Sequence, residues 1–384
     1  MRTVKLGDVV EVERKSVDPA ALDPATPYLG LEHIERGGRI FAASTIATAG
    51  LKSVKFRFEK EHLLFGKLRP NLAKIADPVA AGVCSTDILP IRVCDGVDRS
   101  FVKHFLRWGP TVDETSRLAS GANLPRVSPN ALMSLSFPLP SIGEQRRVAE
   151  ILDRADVQRS RRREQLSALQ SLIQSTFEAM SVGVDLRVVP FAEAVPMIAS
   201  GRSFTCEARR STLEEPGILK LSAVSGGSFY PLENKAFMGD VAKLPQRPVQ
   251  AGDVLMTRKN TKELVGATAL VREAPPNLYL PDLIYRLSIN ESIVEPSYFA
   301  VLMMTPPIRR AVQAMAGGSA ASMVNVSQAR LRTLALQLPP LDAQREFAAL
   351  VEKIEAQRAR VERALSLEDE LFASLQYRAF RGEL

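Results

Sequence analysis

Leu139-Pro140-Ser141-Ile142-Gly143-Glu144-Gln145-Arg146 returns 199 positions later as Leu338-Pro339-Pro340-Leu341-Asp342-Ala343-Gln344-Arg345. Extended in both directions without a gap, the same shift lays Val127-Ser128 on Val326-Ser327, and Leu132 and Leu135 on Leu331 and Leu334. Further on, Gln158-Arg159 falls on Gln357-Arg358, Leu166-Ser167 on Leu365-Ser366, and Leu172 on Leu371. From Ser120 to Ser175 roughly a third of positions are identical, so the chain is read as a tandem duplication.

Each repeat has the same order, a mixed segment followed by a helical one, which divides the chain into 1–140, 141–182, 183–340 and 341–384. In the mixed segments the strand candidates are Asp87–Val93, Asp253–Thr257 and Leu283–Ile289, with Gly37-Gly38, Gly226-Gly227 and Gly317-Gly318 as punctuation. Their heads correspond loosely: Tyr28-Leu-Gly-Leu31 with Ile218-Leu-Lys-Leu221, Leu63–Lys67 with Asp253–Thr257, and Thr86-Asp87-Ile88 with Pro281-Asp282-Leu283.

The helical segments begin after prolines and then place residues at alternating spacings of four and three. One stripe is Val148, Leu152, Ala155, Arg159, Arg162, Leu166, Leu169, Ile173, Thr176 and Met180; the other is Phe347, Val351, Ile354, Arg358, Val361, Leu365, Glu368, Phe372, Leu375 and Ala379. That is a heptad seam, with Arg159 and Arg358 in the same slot, expected to weaken packing while fixing register. An ordinary amphipathic helix on a globular body is the competing reading. About 38 residues at 1.5 Å each would span about 57 Å, longer than a small domain is wide. The expected fold class is therefore α+β: two duplicated globular units separated by a long antiparallel two-helix coiled coil, related by a pseudo-twofold axis.

Composition excludes several classes. With 46% hydrophobic and 24% charged residues over 384 positions the chain is an ordinary globular one. No apolar run reaches the ~18 residues of a membrane span and the start lacks a signal-peptide pattern, so no membrane association and a cytoplasmic location are expected. Three cysteines (Cys84, Cys94, Cys206) without paired spacing point to a reducing compartment. The net charge of +7 is concentrated in the mixed segments, 19 Lys/Arg against 15 Asp/Glu in 1–140 and 17 against 13 in 183–340. Nucleic acid is the obvious polyanion for two basic units, although an excess of four over such lengths is also unremarkable.

Catalytic constellations are missing. The histidines (His33, His62, His104) all lie in the first segment without metal spacing, and no Gly-x-Gly or P-loop pattern occurs. Cys84 has no implied base and is read as a small buried residue. No catalytic residue, metal site or cofactor is expected on this chain.

Binding candidates are better defined. The turn Phe65–Asn71 presents Lys67, Arg69 and Asn71 together, and Arg258, Lys259, Asn260 and Lys262 fall at the matching place in the second unit. Arg and Lys suit guanine edges and phosphates, and Asn suits adenine. Solvated loops are the bland alternative. Two small-residue loops also correspond, Ser120–Arg126, which adds Arg126 to the set, and Gly317–Ser322. The Arg161-Arg162-Arg163 run is expected to face solvent or a protein partner. Along the seam, Arg159, Leu166, Ile173, Arg358, Leu365 and Phe372 are the partner-binding and helix-pairing candidates.

The ordered set Tyr28-Leu-Gly-Leu-Glu-His-Ile34, Leu64-Phe-Gly-Lys-Leu-Arg-Pro-Asn71, Cys84-Ser-Thr-Asp87, Phe137-Pro-Leu-Pro140 with Glu144-Gln-Arg-Arg147, Leu338-Pro-Pro-Leu341 with Gln344-Arg345, and Arg378-Ala-Phe-Arg-Gly-Glu-Leu384 resembles the specificity subunits of Type I restriction–modification systems. The second unit departs from the pattern, with Met256-Thr-Arg-Lys259 where the first has Phe-Gly-Lys-Leu.

The resemblance implies target-recognition domains at 1–140 and 183–340, each reading half of a split sequence in double-stranded DNA. It makes 141–182 and 341–384 spacer helices, 341–384 with the C-terminal tail. It also implies two methyltransferase subunits docked on the helices, and restriction/translocase subunits. S-adenosylmethionine and ATP with magnesium are then expected on those partners only. Two rivals remain: a non-DNA protein-interaction scaffold with duplicated binding units, and a recognition portion severed from a catalytic chain. The complete duplication leads us to expect that nothing was cut off.

Overall fold

The computed structural model describes residues 2–180, 183–320 and 323–384. It is a mixed helix-and-sheet protein that divides by internal contacts into two units. The first unit comprises residues 1–164 with 362–384, and the second is the continuous stretch 165–361. The long helices are Ile142–Met180 and Leu341–Arg381. Each is divided between units, between Glu164 and Gln165 in the first and between Val361 and Glu362 in the second. The boundary expected at 182 lies outside the described residues.

In the first unit a four-stranded antiparallel sheet runs Val10–Val12, Ile88–Val93, Leu63–Gly66, Ile75–Ala76. The second unit has the same sheet in the same order: Met197–Ser200, Ile284–Ser288, Val254–Thr257, Thr268–Leu270. The three expected strands are all present. Leu63–Gly66 and Val254–Thr257 are buried at every position, as a strand covered on both faces must be. Each unit also pairs its opening strand with the strand that enters its long helix, Arg2–Lys5 with Ser136–Leu139 and Arg187–Pro190 with Ala335–Leu338.

The sheet register corrects the correspondence of the heads by one residue. Gly66 faces Ile88 and Thr257 faces Ile284, so Lys67 matches Arg258 rather than Thr257, and Asp87 matches Leu283 rather than Asp282. Side chains alternate along a strand, so a one-residue slip exchanges the two faces. Of the two ways the sequence can be laid out, Phe-Gly-Lys-Leu over Met256-Thr-Arg-Lys259 is the one the register supports. Gly317–Ser322 is not a plain loop. Gly317–Ala320 is a strand on Met323–Asn325, and Ala321 and Ser322 lie outside the described residues.

Within each unit the helix segments run antiparallel and enter the globular core. In the first, Arg147 bonds to the Leu384 carbonyl, while Arg159 meets Asp369 at 2.6 Å and Arg162 meets Glu368 at 3.1 Å. Val148, Leu152, Phe372 and Phe380 join the same apolar cluster as Leu63, Leu89 and Phe137. In the second unit Ile173, Phe177, Phe347, Val351 and Ile354 do likewise with Val254, Tyr285 and Leu336. The competing reading of an amphipathic helix on a globular body thus holds for these segments, because the seam residues there are core residues.

Among the seam candidates, Arg159 stacks its guanidinium 4.1 Å over Phe372 and pairs with Asp156 and Asp369. Arg358 is buried and pairs with Glu355 and Ser228. Both basic seam residues are therefore compensated. Ile173 is buried, and Leu166 and Leu365 are half-buried. In the arginine run Arg161 and Arg163 are exposed and Arg162 is half-buried, and Arg162 and Arg163 also pair with Glu368 and Asp369.

The repeated glutamine explains why the duplicated phrase is kept. Gln145 is 1% exposed, donates to the Pro140 carbonyl (2.9 Å) and accepts from the Asp98 amide (2.8 Å). Gln344 is equally buried, donates to the Pro339 carbonyl (2.8 Å) and accepts from the Glu295 amide (3.0 Å). Asp98 and Glu295 are the N-caps of Arg99–Arg107 and Pro296–Met304. One amide thus ties the first turn of each long helix to the start of its neighbour. Gln145→Leu is expected to strand both backbone groups and to destabilise the first unit by about 2–4 kcal/mol; an unchanged urea midpoint would contradict this.

Candidate nucleic-acid interface

The strand Leu63–Gly66 ends in the turn that carries Lys67, Arg69 and Asn71. Arg69 adopts a left-handed backbone (φ 50°) before Pro70, and Ala73 does so again (φ 47°), a strained arrangement for residues with a Cβ. The turn is held by its neighbours. The Arg69 amide donates to the Pro125 carbonyl (2.8 Å), the Lys67 amide to Asp87 O (2.9 Å), and the Val127 amide to Lys67 O (3.1 Å). Reciprocal Ser120–Arg126 backbone bonds close the small-residue loop beside it. The four residues expected in this unit are therefore brought together.

Their side chains differ in availability. Arg126 grips Asp87 with Nε to Oδ1 (2.9 Å) and Nη2 to Oδ2 (3.0 Å), and Lys67 Nζ lies 3.7 Å from the same carboxylate. The Arg126 guanidinium, ahead of a smaller opposing effect of burial, holds the Asp87 carboxyl below the usual carboxylate range. Arg69 and Asn71 are exposed. Asp87 is the member that reading for basic residues overlooked, although it stands in Cys84-Ser-Thr-Asp87.

In the second unit the same backbone bonds recur. The Arg258 amide donates to Leu283 O (2.8 Å), and the Val326 amide to Arg258 O (3.0 Å). Lys259 and Lys262 are exposed. Arg258 is half-buried, lies 5.6 Å from the Tyr285 ring centroid, and donates from Nε to Asn325 Oδ1 (3.2 Å). Asn260 corrects an expectation. It is 7% exposed, donates to Ser225 Oγ and accepts from the Thr261 amide, so its amide is committed inside the unit and does not present an adenine-reading edge.

Cys84, Cys94 and Cys206 are free thiols, and burial pushes Cys84 up to about 12. By the strand pairing Cys84 matches Leu280. His104 is fully buried with Nε2 2.8 Å from Asp153 Oδ1, and burial lowers its pKa. Against an opposing effect of burial, bonds from His104 and Ser100 hold Asp153 low. Among the described residues no cluster of three or more His, Cys, Asp or Glu could hold a metal, and no helix is long and apolar enough to cross a membrane.

An acid response follows. A histidine whose folded pKa is lowered binds its proton more readily when unfolded, so its contribution is present above the unfolded value of ~6.5 and is lost as pH falls below it. The melting temperature of the first unit is expected to drop from pH 7 to pH 5, with a flatter profile in His104→Gln. Parallel profiles for the two proteins would contradict this.

No family model matches the chain. Among curated proteins it is 24% identical over 304 residues to the Type I restriction enzyme EcoKI specificity subunit of Escherichia coli strain K12, covering 74% of this chain and 65% of that protein. It is 29% identical over 161 residues to the EcoEI specificity subunit of Escherichia coli, covering 42% of this chain and 27% of that one. The chain thus spans less than two thirds of the length of these relatives. Among solved structures, the Type I restriction–modification S subunit from M. genitalium matches with a TM-score of 0.59 at 12% identity, over 99% of this chain and 96% of that one, which shows a shared fold.

Proposed function

Because the chain is a homologue of Type I restriction enzyme specificity subunits, we propose that it is the non-catalytic DNA-recognition subunit of such a complex. It reads a split target in double-stranded DNA, one half through each unit. The observation that carries this reading is the basic turn that recurs between equivalent strands, Lys67–Asn71 and Arg258–Lys262, held by the same two backbone bonds in each unit.

In this reading the long helices pair as an antiparallel coiled coil that sets the distance between two inverted units, and methyltransferase subunits dock along them. Those partners bind S-adenosylmethionine and methylate the target, and restriction/translocase subunits with ATP and magnesium join for cleavage, all in the cytoplasm. Exposed Arg69, Lys259 and Lys262 supply phosphate contacts. Arg69→Ala is expected to weaken duplex binding evenly across sequences and to reduce the salt slope by about one, measured by titration at several salt concentrations; an unchanged slope would remove Arg69 from the interface.

The reading is tested by co-expressing the chain with its methyltransferase partner and mapping methylated bases in host DNA. A single split motif that disappears when this chain is omitted is the expected result. Methylation indifferent to the chain would favour a protein-interaction scaffold.

A further inference from the structure

In each unit one of two matched positions at the basic turn carries an arginine with an anchored guanidinium, and the two units use different positions of the pair. Lys67 matches Arg258, and Arg126 matches Asn325, the residues that precede the matched Val127 and Val326. In the first unit the arginine is Arg126, from the small-residue loop, and the anchor is Asp87, with bonds of 2.9 and 3.0 Å. In the second unit the arginine is Arg258, and the anchor is Asn325, which pairs in register with the next residue, Lys259, and lies 3.2 Å from Nε, with Tyr285 against the guanidinium. The arginine has changed from one position of the pair to the other, and in both units it is anchored by a polar neighbour.

We propose that Asp87 and Asn325 are positioning residues that hold Arg126 and Arg258 for bidentate recognition of one guanine in each half of the target. This inference rests on the DNA-recognition reading above. A phosphate contact needs only a charge at the end of a flexible side chain, which exposed Arg69, Lys259 and Lys262 provide. A guanidinium whose Nε edge is already bound has lost its rotamer freedom before DNA arrives. Nη1 also donates to a backbone carbonyl, that of Leu124 from Arg126 (3.3 Å) and that of Asp282 from Arg258 (3.5 Å), which leaves at least one hydrogen on each of Nη1 and Nη2 for paired bonds to guanine O6 and N7. The Arg126 side chain remains 41% exposed despite its ion pair. The Asp87 carboxylate beside it would repel a phosphate, whereas it can accept from the cytosine N4 amine of the same base pair.

Methylation mapping of the co-expressed complex separates the possibilities. The wild-type motif is expected to contain a fixed guanine in each half. Asp87→Asn should relax base choice at one position of one half by roughly tenfold or more and leave the other half intact, and Asn325→Ala should do the same in the opposite half. Arg126→Lys, which keeps the charge beside Asp87 but lacks the fork, should reproduce the Asp87→Asn relaxation and covers the case in which Asp87→Asn fails to fold. An unchanged motif in Asp87→Asn or Arg126→Lys, or an even loss at every position, overturns the inference. A wild-type complex that yields no split motif overturns the DNA-recognition reading instead.

Discussion

Replacing Phe380 by alanine is expected to destabilise the first unit by about 3–5 kcal/mol, the usual range for removing a buried phenyl group. Phe380 is 5% exposed, and its ring centroid lies 5.3 Å from that of Phe101, 5.7 Å from Phe105 and 5.2 Å from Trp108. Phe101 and Phe105 in turn pack on Phe137, from the strand that leads into the first long helix. The substitution therefore opens a cavity where the last helix, the helix pair 99–117 and the closing strand meet. Because 5 kcal/mol approaches the whole stability of many domains, the first unit should show a separate early unfolding transition. The second should melt as before, since its aromatic contacts, Phe177 with Tyr298 and Phe347, are its own. A single unshifted transition in calorimetry would contradict the prediction.

The second large effect concerns the target. Removing seven residues around Glu164–Gln165 from the first long helix and seven around Val361–Glu362 from the second should shorten the spacer by about 10 Å. At 3.4 Å per base pair, the unread gap of the methylated motif should contract by about three base pairs. These positions leave the seam residues built into each core untouched: Val148, Leu152, Phe372 and Phe380 in the first unit, and Phe177, Phe347 and Val351 in the second. An unchanged gap would end the proposal that the helices act as a ruler.

The duplication, the strands and the long helices were legible because each leaves a mark in one dimension: a constant shift, a buried apolar run, a seam spaced by four and three. Gln145 and Gln344 were visible as a repeated phrase, but their bonds to the Asp98 and Glu295 amides join segments nearly 50 residues apart and leave no local pattern. The same limit applied at the candidate interface. Charge located both turns, yet the commitment of Asn260 to Ser225 and of Arg126 to Asp87 depends on contacts across 35 and 39 positions. The one-residue error at Lys67 arose because diverged strands carry no register of their own until a neighbour is paired with them. Asp87 was passed over because a search for cations does not select the anion that orients one.

The division of the chain also bears on how it is made. Residues 165–361 form one uninterrupted unit, whereas residues 1–164 need 362–384 to complete their core. During synthesis the segment that emerges first must therefore wait for the last 23 residues, with the site of Phe380 unfilled on Phe101, Phe105 and Trp108. The later unit can close before the earlier one, reversing the usual order in which domains mature on the ribosome. A chain ending at residue 361 would carry a complete second unit and, on the first, an apolar cleft where Phe380 belongs, the kind of surface that chaperones capture.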